Sequence, residues 1–86
     1  MTTECFLCAR NGDTSVKYCH KHHIFEGKNR KVSEIHGFYI AVCPKHHSEI
    51  HDHPKDYIWL KKITQKEYER DHTREEFMRI IGRNYL

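Results

Sequence analysis

Two short cysteine and histidine pairs with the same spacing constrain this chain more than any other feature. "CFLC" at residues 5–8 and "CPKH" at residues 43–46 each place two metal-ligating side chains three positions apart. Each pair can hold one side of a cation from a tight turn, and two such pairs complete the tetrahedral shell of a structural zinc site. The sequence therefore predicts a zinc site made by Cys5, Cys8, Cys43 and His46. Cys19 is either a small buried side chain or the fourth ligand in place of His46.

The length of the chain makes a bound metal valuable to the fold. With 86 residues, of which 37% are hydrophobic, the chain has room for one domain with one lean core. A bound metal adds stability that such a core lacks. We therefore expect the two pairs to fasten a single domain of residues 1–86.

The chain shows no sign of a membrane or secretory segment. No apolar run approaches the roughly 20 residues of a membrane span, and the first residues lack the basic and apolar regions of a signal peptide. We therefore expect a cytoplasmic protein. In that reducing compartment a Cys-x-x-Cys pair is a metal clip or a redox motif rather than half of a disulfide framework. A thioredoxin-like redox protein needs a βαβ pattern, which this chain does not offer.

The first half of the chain is predicted to form two strands around a long loop. Residues 1–15 contain a cluster of turn formers and are expected to be a loop. Residues 16–25 are rich in β-branched, aromatic and histidine residues, and residues 38–42 are a short apolar run, so both are expected to be strands that pair. The polar residues 26–37 between them are expected to form a long connecting loop, whose length favours a functional role.

The second half is predicted to be helical. Pro44 suits the first turn of a helix, where its missing N–H costs nothing, and this helix is expected over residues 44–53. Apolar residues at helical spacing predict a second helix over residues 56–70. "TREE" at residues 73–76 matches a capping box, and it predicts a short amphipathic third helix that Gly82 ends.

Six of the nine histidines fall into two clusters: His20, His22 and His23, and His46, His47 and His51. His47 and His51 lie four residues apart, so their rings project from one face of a helix and can hold one ion, although a third ligand is missing. His22 and His23 point to opposite sides of a strand, so one can complete the site while the other stays free as a base. A cation on three neutral imidazoles beside a free histidine suits phosphodiester hydrolysis.

This order of residues resembles the HNH endonucleases, also called ββα-metal nucleases. They share a His-His pair on a first strand, a long loop, a second strand, and a helix that carries the remaining ligand histidines. The resemblance covers about residues 5–53, and "CFLC" and "CPKH" resemble the paired clips of zinc-bearing members. It implies an α+β fold whose small ββα-metal, treble-clef-like core holds a structural zinc and is followed by two C-terminal helices over about residues 56–86.

The resemblance also implies a role for each remaining histidine. His23 acts as the general base that activates water, while His22, His47 and His51 hold one divalent ion, Mg²⁺, Mn²⁺, Ni²⁺ or Zn²⁺. The implied function is a metal-dependent DNA endonuclease or nickase that leaves 5′-phosphate and 3′-hydroxyl ends. "HTREEFMRIIGRNYL" at the end of the chain resembles small HNH proteins of phages and prophages. This implies a bacterial host cytoplasm and phage DNA-processing proteins as partners.

The sequence departs from the family at its middle letter. That letter is an asparagine whose amide orients the general base, and here Gly37 and Phe38 stand in its place. The replacement is left open among Asn29, Ser33, His36 and a backbone carbonyl. The missing asparagine favours an alternative function, a zinc-stabilised module that binds nucleic acid or protein with little or no catalysis.

Basic residues near the predicted site are the candidate contacts to DNA. The formal net charge of +3 is compatible with a nucleic-acid partner but too small to establish one. The candidates that can neutralise phosphates without reading bases are Lys21, Lys28, Arg30, Lys31 and Lys45. Trp59 either stacks on a base or packs in the core.

Overall fold

Two small antiparallel sheets and five α-helices make up this α+β structure, a computed structural model that describes all residues 1–86. Short 3-10 turns at Gly27–Asn29 and Pro54–Tyr57 precede two of the helices. The elements in chain order are β1 (Thr2–Glu4), α1 (Phe6–Arg10), β2 (Val16–Tyr18), β3 (His20–His23), α2 (Arg30–His36), β4 (Tyr39–Val42), α3 (Pro44–Asp52), α4 (Ile58–Tyr68) and α5 (Arg74–Ile81). No helix has the length and apolar character that spanning a bilayer requires.

The single strand predicted over residues 16–25 is wrong in one respect, because the chain divides it at Cys19. The backbone of Cys19 exchanges hydrogen bonds with that of Met1, with N to O distances of 2.7 and 3.2 Å. These bonds extend the pairing of β2 with β1, whereas β3 pairs with β4 in the other sheet. One continuous apolar and histidine-rich run therefore feeds two different sheets.

Residues 1–15 are also not the predicted loop, since they contain β1 and α1. β1 exists because it pairs with β2, and this partner lies beyond an intervening helix and turn. α1 begins at the first metal-ligand pair, where the Sγ atom of Cys5 accepts a hydrogen bond from the backbone N–H of Cys8 at 3.4 Å. The turn formers that the sequence shows cover only the residues after this helix.

The loop predicted over residues 26–37 is wrong as well, because most of it is helix α2. Its inward contact comes from Ser33, which is fully buried and donates a hydrogen bond to the backbone oxygen of Phe25 at 2.9 Å. Gly37 ends the helix with a φ of 74°, a conformation that glycine adopts without strain. With a polar residue at its most buried position, α2 lacks the apolar stripe that reveals a helix in sequence.

The remaining predicted elements are confirmed. β4 pairs with β3 in antiparallel register, with His20 opposite Val42 and His23 opposite Tyr39. α3 begins at Pro44, and α4 and α5 follow as the two C-terminal helices. In front of α5 the capping box is complete, because the side chains and backbone N–H groups of its first and last residues bond reciprocally.

An aromatic core lies beneath the β3–β4 sheet and joins it to the C-terminal helices. The ring centroid of Phe25 lies 5.5 Å from those of Phe38 and Phe77, a spacing typical of edge-to-face pairs. Gln65 is buried in α4 and binds the final segment through Asn84 and the backbone N–H of Tyr85, each at 2.8 Å. The last residues are therefore part of the packed structure.

Candidate functional site

The two equally spaced pairs meet at one point. The Sγ atoms of Cys5, Cys8 and Cys43 lie 3.5, 3.4 and 3.3 Å from Nδ1 of His46, and those of Cys8 and Cys43 lie 3.8 Å apart. In a tetrahedral zinc site the bond lengths place two sulfurs about 3.8 Å apart and a sulfur and a nitrogen about 3.5 Å apart. The cluster of three cysteines and one histidine can therefore hold a metal ion such as zinc.

The surroundings of this cluster favour the thiolate form of Cys5 even without a bound metal. Burial raises the pKa of Cys5, but hydrogen bonds from the backbone N–H groups of Cys43 and Cys8 and from His46 outweigh it and lower that pKa below its usual range. Burial and the neighbouring Cys5 raise the pKa of Cys8 instead, as expected of two thiols that compete for the same partners. The other thiols must lose their protons when a metal binds.

Cys19 does not belong to the cluster. Its side chain is buried and its Sγ atom lies 3.6 Å from the backbone oxygens of Thr3 and Lys17. Of the two predicted roles, the small buried side chain is therefore confirmed, and His46 is the fourth member of the cluster.

A second group of possible ligands forms where β3 faces α3. The ligating nitrogens of His22, His47 and His51 lie within 4.8 Å of one another. The Nε2 atoms of His47 and His51 are 3.2 Å apart, within the roughly 3.0–3.4 Å that separates two imidazole nitrogens on one ion at about 2.1 Å. The ring of His22 lies 5.4 Å from that of His47 and 5.7 Å from that of His51. The structure thus brings together the three histidines that the resemblance groups.

The surroundings of His22 and His47 disfavour the charged form of each ring. The pKa of His22 is lowered to about 4, mainly by burial and also by the nearby imidazoles of His47, His51 and His23, while the carboxylate of Glu26 at 4.0 Å opposes the shift. Burial and nearby histidines also lower the pKa of His47. A neutral imidazole has a lone pair to offer, so this environment suits cation binding.

His20 contacts His47 on the side of the ring that faces away from His51. Its Nδ1 atom lies 3.0 Å from Nδ1 of His47, whose Nε2 atom faces His51. One ring nitrogen of His47 is therefore engaged by a protein partner while the other points to the site. His20 and His22 lie two residues apart in β3 and share a face, and this spacing is the signal in the sequence for the role of His20.

His23 lies on the other face of β3 and has a partner that the sequence did not indicate. Its Nε2 atom is 2.7 Å from Oε2 of Glu34 in α2. The three side chains considered for this role make other contacts: Asn29 donates to the backbone of Ile81, Ser33 binds Phe25, and His36 stacks on Phe38. The sequence did not predict this contact because residues 26–37 were expected to be a loop, whereas Glu34 lies on helix α2.

His23 and the group formed by His22, His47 and His51 line the same polar cleft. The cleft has a volume of about 350 Å³ and no hydrophobic residue lines it. Its lining includes the three converging rings, His22, His47 and His51, together with His23. A histidine held apart from the cluster and a possible cation site therefore share one solvent-accessible space, an arrangement that can support metal-assisted hydrolysis.

The basic residues predicted to contact DNA fall into two groups. Lys21 and Arg30 line the histidine cleft and also an adjoining cleft of about 660 Å³, to which Lys28 and Lys31 contribute. Lys45 is exposed in the first turn of α3 and lines neither cleft. Four of the five predicted cations therefore surround the space into which His23 opens.

Trp59 takes the packing role rather than the stacking one. It is half-buried against the hydrophobic core, and the guanidinium carbon of Arg10 lies 4.6 Å from its ring centroid. Its ring face is therefore occupied by a side chain of the same protein.

Comparison with known proteins identifies no relative. No family model, curated protein or solved structure matches this chain. The function must therefore be inferred from the chemistry of the two metal-ligand clusters and the basic cleft between β3, α2 and α3.

Proposed function

We propose that this protein is a metal-dependent DNA endonuclease or nickase of the HNH type. In this proposal His22, His47 and His51 bind one divalent ion and His23 is the general base. The observation that carries the proposal is the convergence of three imidazoles in the same basic cleft as a fourth, separately held histidine. No single histidine on a surface supplies this combination.

The arrangement of β3, β4 and α3 supports an HNH-type core. Pairing of β3 with β4 sets His22 toward α3, and helical spacing sets His47 and His51 toward His22. The Cys3His cluster fixes the start of α3 through His46, the residue directly before His47. We infer that this cluster holds zinc and that its role is structural, because four protein ligands leave no position open for a substrate.

The cleft can divide the work of phosphodiester cleavage among its residues. When bound, a divalent ion on three neutral imidazoles keeps its positive charge and stabilises the charge that builds up on a phosphate. Imidazole ligands favour Ni²⁺ and Zn²⁺ over Mg²⁺, so we expect the tightest binding from the first two ions. Lys21 and Arg30 neutralise phosphates of the DNA backbone without reading bases, which predicts weak sequence preference.

A zinc-stabilised binding module is the second candidate. Gly37 and Phe38 occupy the place of the asparagine that orients the base in HNH enzymes, and this substitution favours a protein that has lost turnover. Such a module would use the same basic clefts to bind nucleic acid. DNA binding without cleavage would distinguish it from the nuclease.

Cleavage of supercoiled plasmid tests the proposal. Zinc-loaded protein is incubated with Mg²⁺, Mn²⁺, Ni²⁺ or additional Zn²⁺, beside His23→Ala and the control His53→Ala, which changes an exposed histidine outside the cleft. We expect wild type and the control to nick the plasmid equally, and His23→Ala to be slower by about 10²–10⁴-fold, the usual worth of a general base. Equal inertness of wild type and His23→Ala with every ion would refute the nuclease, and a gel shift by both would then favour the binding module.

A further inference from the structure

His23 is held within a small network on the outer face of β3. Lys21 and His23 lie two residues apart and therefore project from the same side of the strand. The carboxylate of Glu34 accepts hydrogen bonds from both, at 2.9 Å from Nζ of Lys21 and 2.7 Å from Nε2 of His23. Nζ of Lys21 also lies 4.3 Å from the ring centroid of Tyr39, the residue opposite His23 in β4. Each member of the network thus has two neighbours within it.

We propose that Glu34 is the positioning residue for His23 and takes the role that asparagine has in the HNH pattern. This inference rests on the proposed function of His23 as the general base. An ionised carboxylate only accepts hydrogen bonds, so the Nε2 atom of His23 must carry a hydrogen. In the neutral ring Nδ1 is then the free acceptor, which is the atom that can take a proton from water.

The position of Glu34 is fixed by the core and not only by its ion pair. The preceding residue, Ser33, is fully buried and its hydroxyl bonds the backbone of Phe25 in both directions, at 2.9 and 3.3 Å. Helix α2 is therefore anchored one residue before the carboxylate. An exposed ion pair without such an anchor contributes little and holds no fixed geometry.

The residues at the family's asparagine position have other tasks in this protein. Gly37 ends α2 in a left-handed conformation, and Phe38 is buried against the ring of Phe25 at 5.5 Å. Neither can hold the imidazole of His23 with a side chain. Glu34 reaches it from the last turn of α2 before Gly37, so the acceptor comes from a helix instead of the second strand.

The experiment compares Glu34→Ala with Glu34→Gln. Both variants remove the negative charge of Glu34 from the adjoining cleft of about 660 Å³. Glutamine keeps an acceptor oxygen at the same side-chain length, so the difference between the two variants isolates the hydrogen bond. Glu75→Ala, on the exposed face of α5, is the matched control. Single-turnover cleavage is measured over a range of DNA concentrations, and Ni²⁺ affinity is measured by titration of the zinc-loaded protein.

We expect Glu34→Ala to lower the rate at saturating DNA by about 10–100-fold, the usual effect of losing a residue that orients a functional imidazole. The DNA concentration that gives half of the maximal rate should not rise, and Ni²⁺ affinity should stay unchanged because no proposed ligand is altered. Glu34→Gln should recover most of the rate, and Glu75→Ala should match wild type. A Glu34→Ala variant as fast as wild type would overturn the assignment.

A second measurement does not depend on cleavage. In a nitrogen-15 NMR spectrum of the histidine rings at neutral pH, the Nε2 hydrogen of His23 should be visible in wild type and Glu34→Gln and lost to solvent exchange in Glu34→Ala. An unchanged signal in Glu34→Ala would overturn the proposed hydrogen bond. If wild type cuts no DNA, the nuclease function fails, and this spectrum alone then decides whether Glu34 orients the ring.

Discussion

Cys5→Ser should unfold the protein, because it removes one of the four side chains that meet at the Cys3His cluster. Cys5 is completely buried and begins α1, and its sulfur accepts backbone hydrogen bonds from both Cys8 and Cys43. The substitution therefore removes a metal ligand at the point where α1 meets the end of β4. We expect a variant without a cooperative thermal transition at any zinc concentration that saturates wild type.

The magnitude follows from the small size of the core. Only 15 of the 86 residues are buried, and a domain of this length has a free energy of unfolding of about 4–13 kcal/mol. Zinc bound by a structural site supplies about 10–16 kcal/mol, all of it coupled to folding. Even half of that binding energy equals or exceeds the lower end of the range for the whole domain. Zinc is thus predicted to supply most of the stability.

Cys19→Ser is the matched control for this variant. Cys19 is also a cysteine with almost no exposure, but it lies outside the cluster, and the hydrogen-bond partners of its side chain are backbone oxygens, which a serine hydroxyl can also reach. We expect it to lose at most about 2 kcal/mol. Circular dichroism during heating, with added zinc and with a chelator, measures both variants. A Cys5→Ser protein that melts at the wild-type temperature, or a wild type indifferent to chelation, would refute the reasoning.

The remaining predictions concern the cleft and the last helix. His20→Ala should weaken Ni²⁺ binding to zinc-loaded protein by about 10–100-fold in calorimetric titration, because it removes the ring that contacts Nδ1 of His47, a proposed ligand. Arg30→Ala should reduce the slope of log affinity for DNA against log salt by about 1, whereas Lys45→Ala should not. Thr73→Ala should cost about 1 kcal/mol in denaturant unfolding. The backbone N–H and hydroxyl of Thr73 lower the pKa of Glu76, so the part of the capping box that depends on the Glu76 carboxylate stabilises the fold at neutral pH and is lost as the pH falls from about 4.3, the unfolded value, through the lower folded value. Glu76→Gln should abolish that pH dependence.

The features that sequence reasoning predicted are those with local signals. Pro44 marks the start of α3, the capping box at Thr73 marks α5, and a short apolar run between Gly37 and Cys43 marks β4. Ligand spacing is also local, since a turn or a helix fixes the distance between residues three or four apart. The sequence therefore predicted the four cluster members, and the structure excludes Cys19, the alternative to His46.

The features that were missed depend on partners far along the chain. β1 forms only because β2 pairs with it. The histidine-rich run divides at Cys19, where no glycine or proline in the sequence indicates a break. α2 buries a serine and leaves Ile35 exposed, so its apolar pattern does not have a helical period. The contact of Glu34 with His23 joins two such elements across eleven positions, and only the assembled fold brings them together.

The two candidate metal sites share helix α3, and we expect the cleft site to depend on the Cys3His cluster but not the reverse. His46 belongs to the Cys3His cluster and His47 to the cleft. Because about 100° of helical rotation separates neighbouring residues, the two side chains leave α3 in different directions, one toward each site. The cluster anchors the helix to α1, whereas the cleft site joins side chains of elements that backbone pairing and the core already hold. Removing Ni²⁺ from the cleft should therefore leave the circular dichroism spectrum unchanged, while removing zinc from the cluster should abolish both the fold and Ni²⁺ binding. Unfolding on loss of the cleft ion alone would reverse this order of dependence.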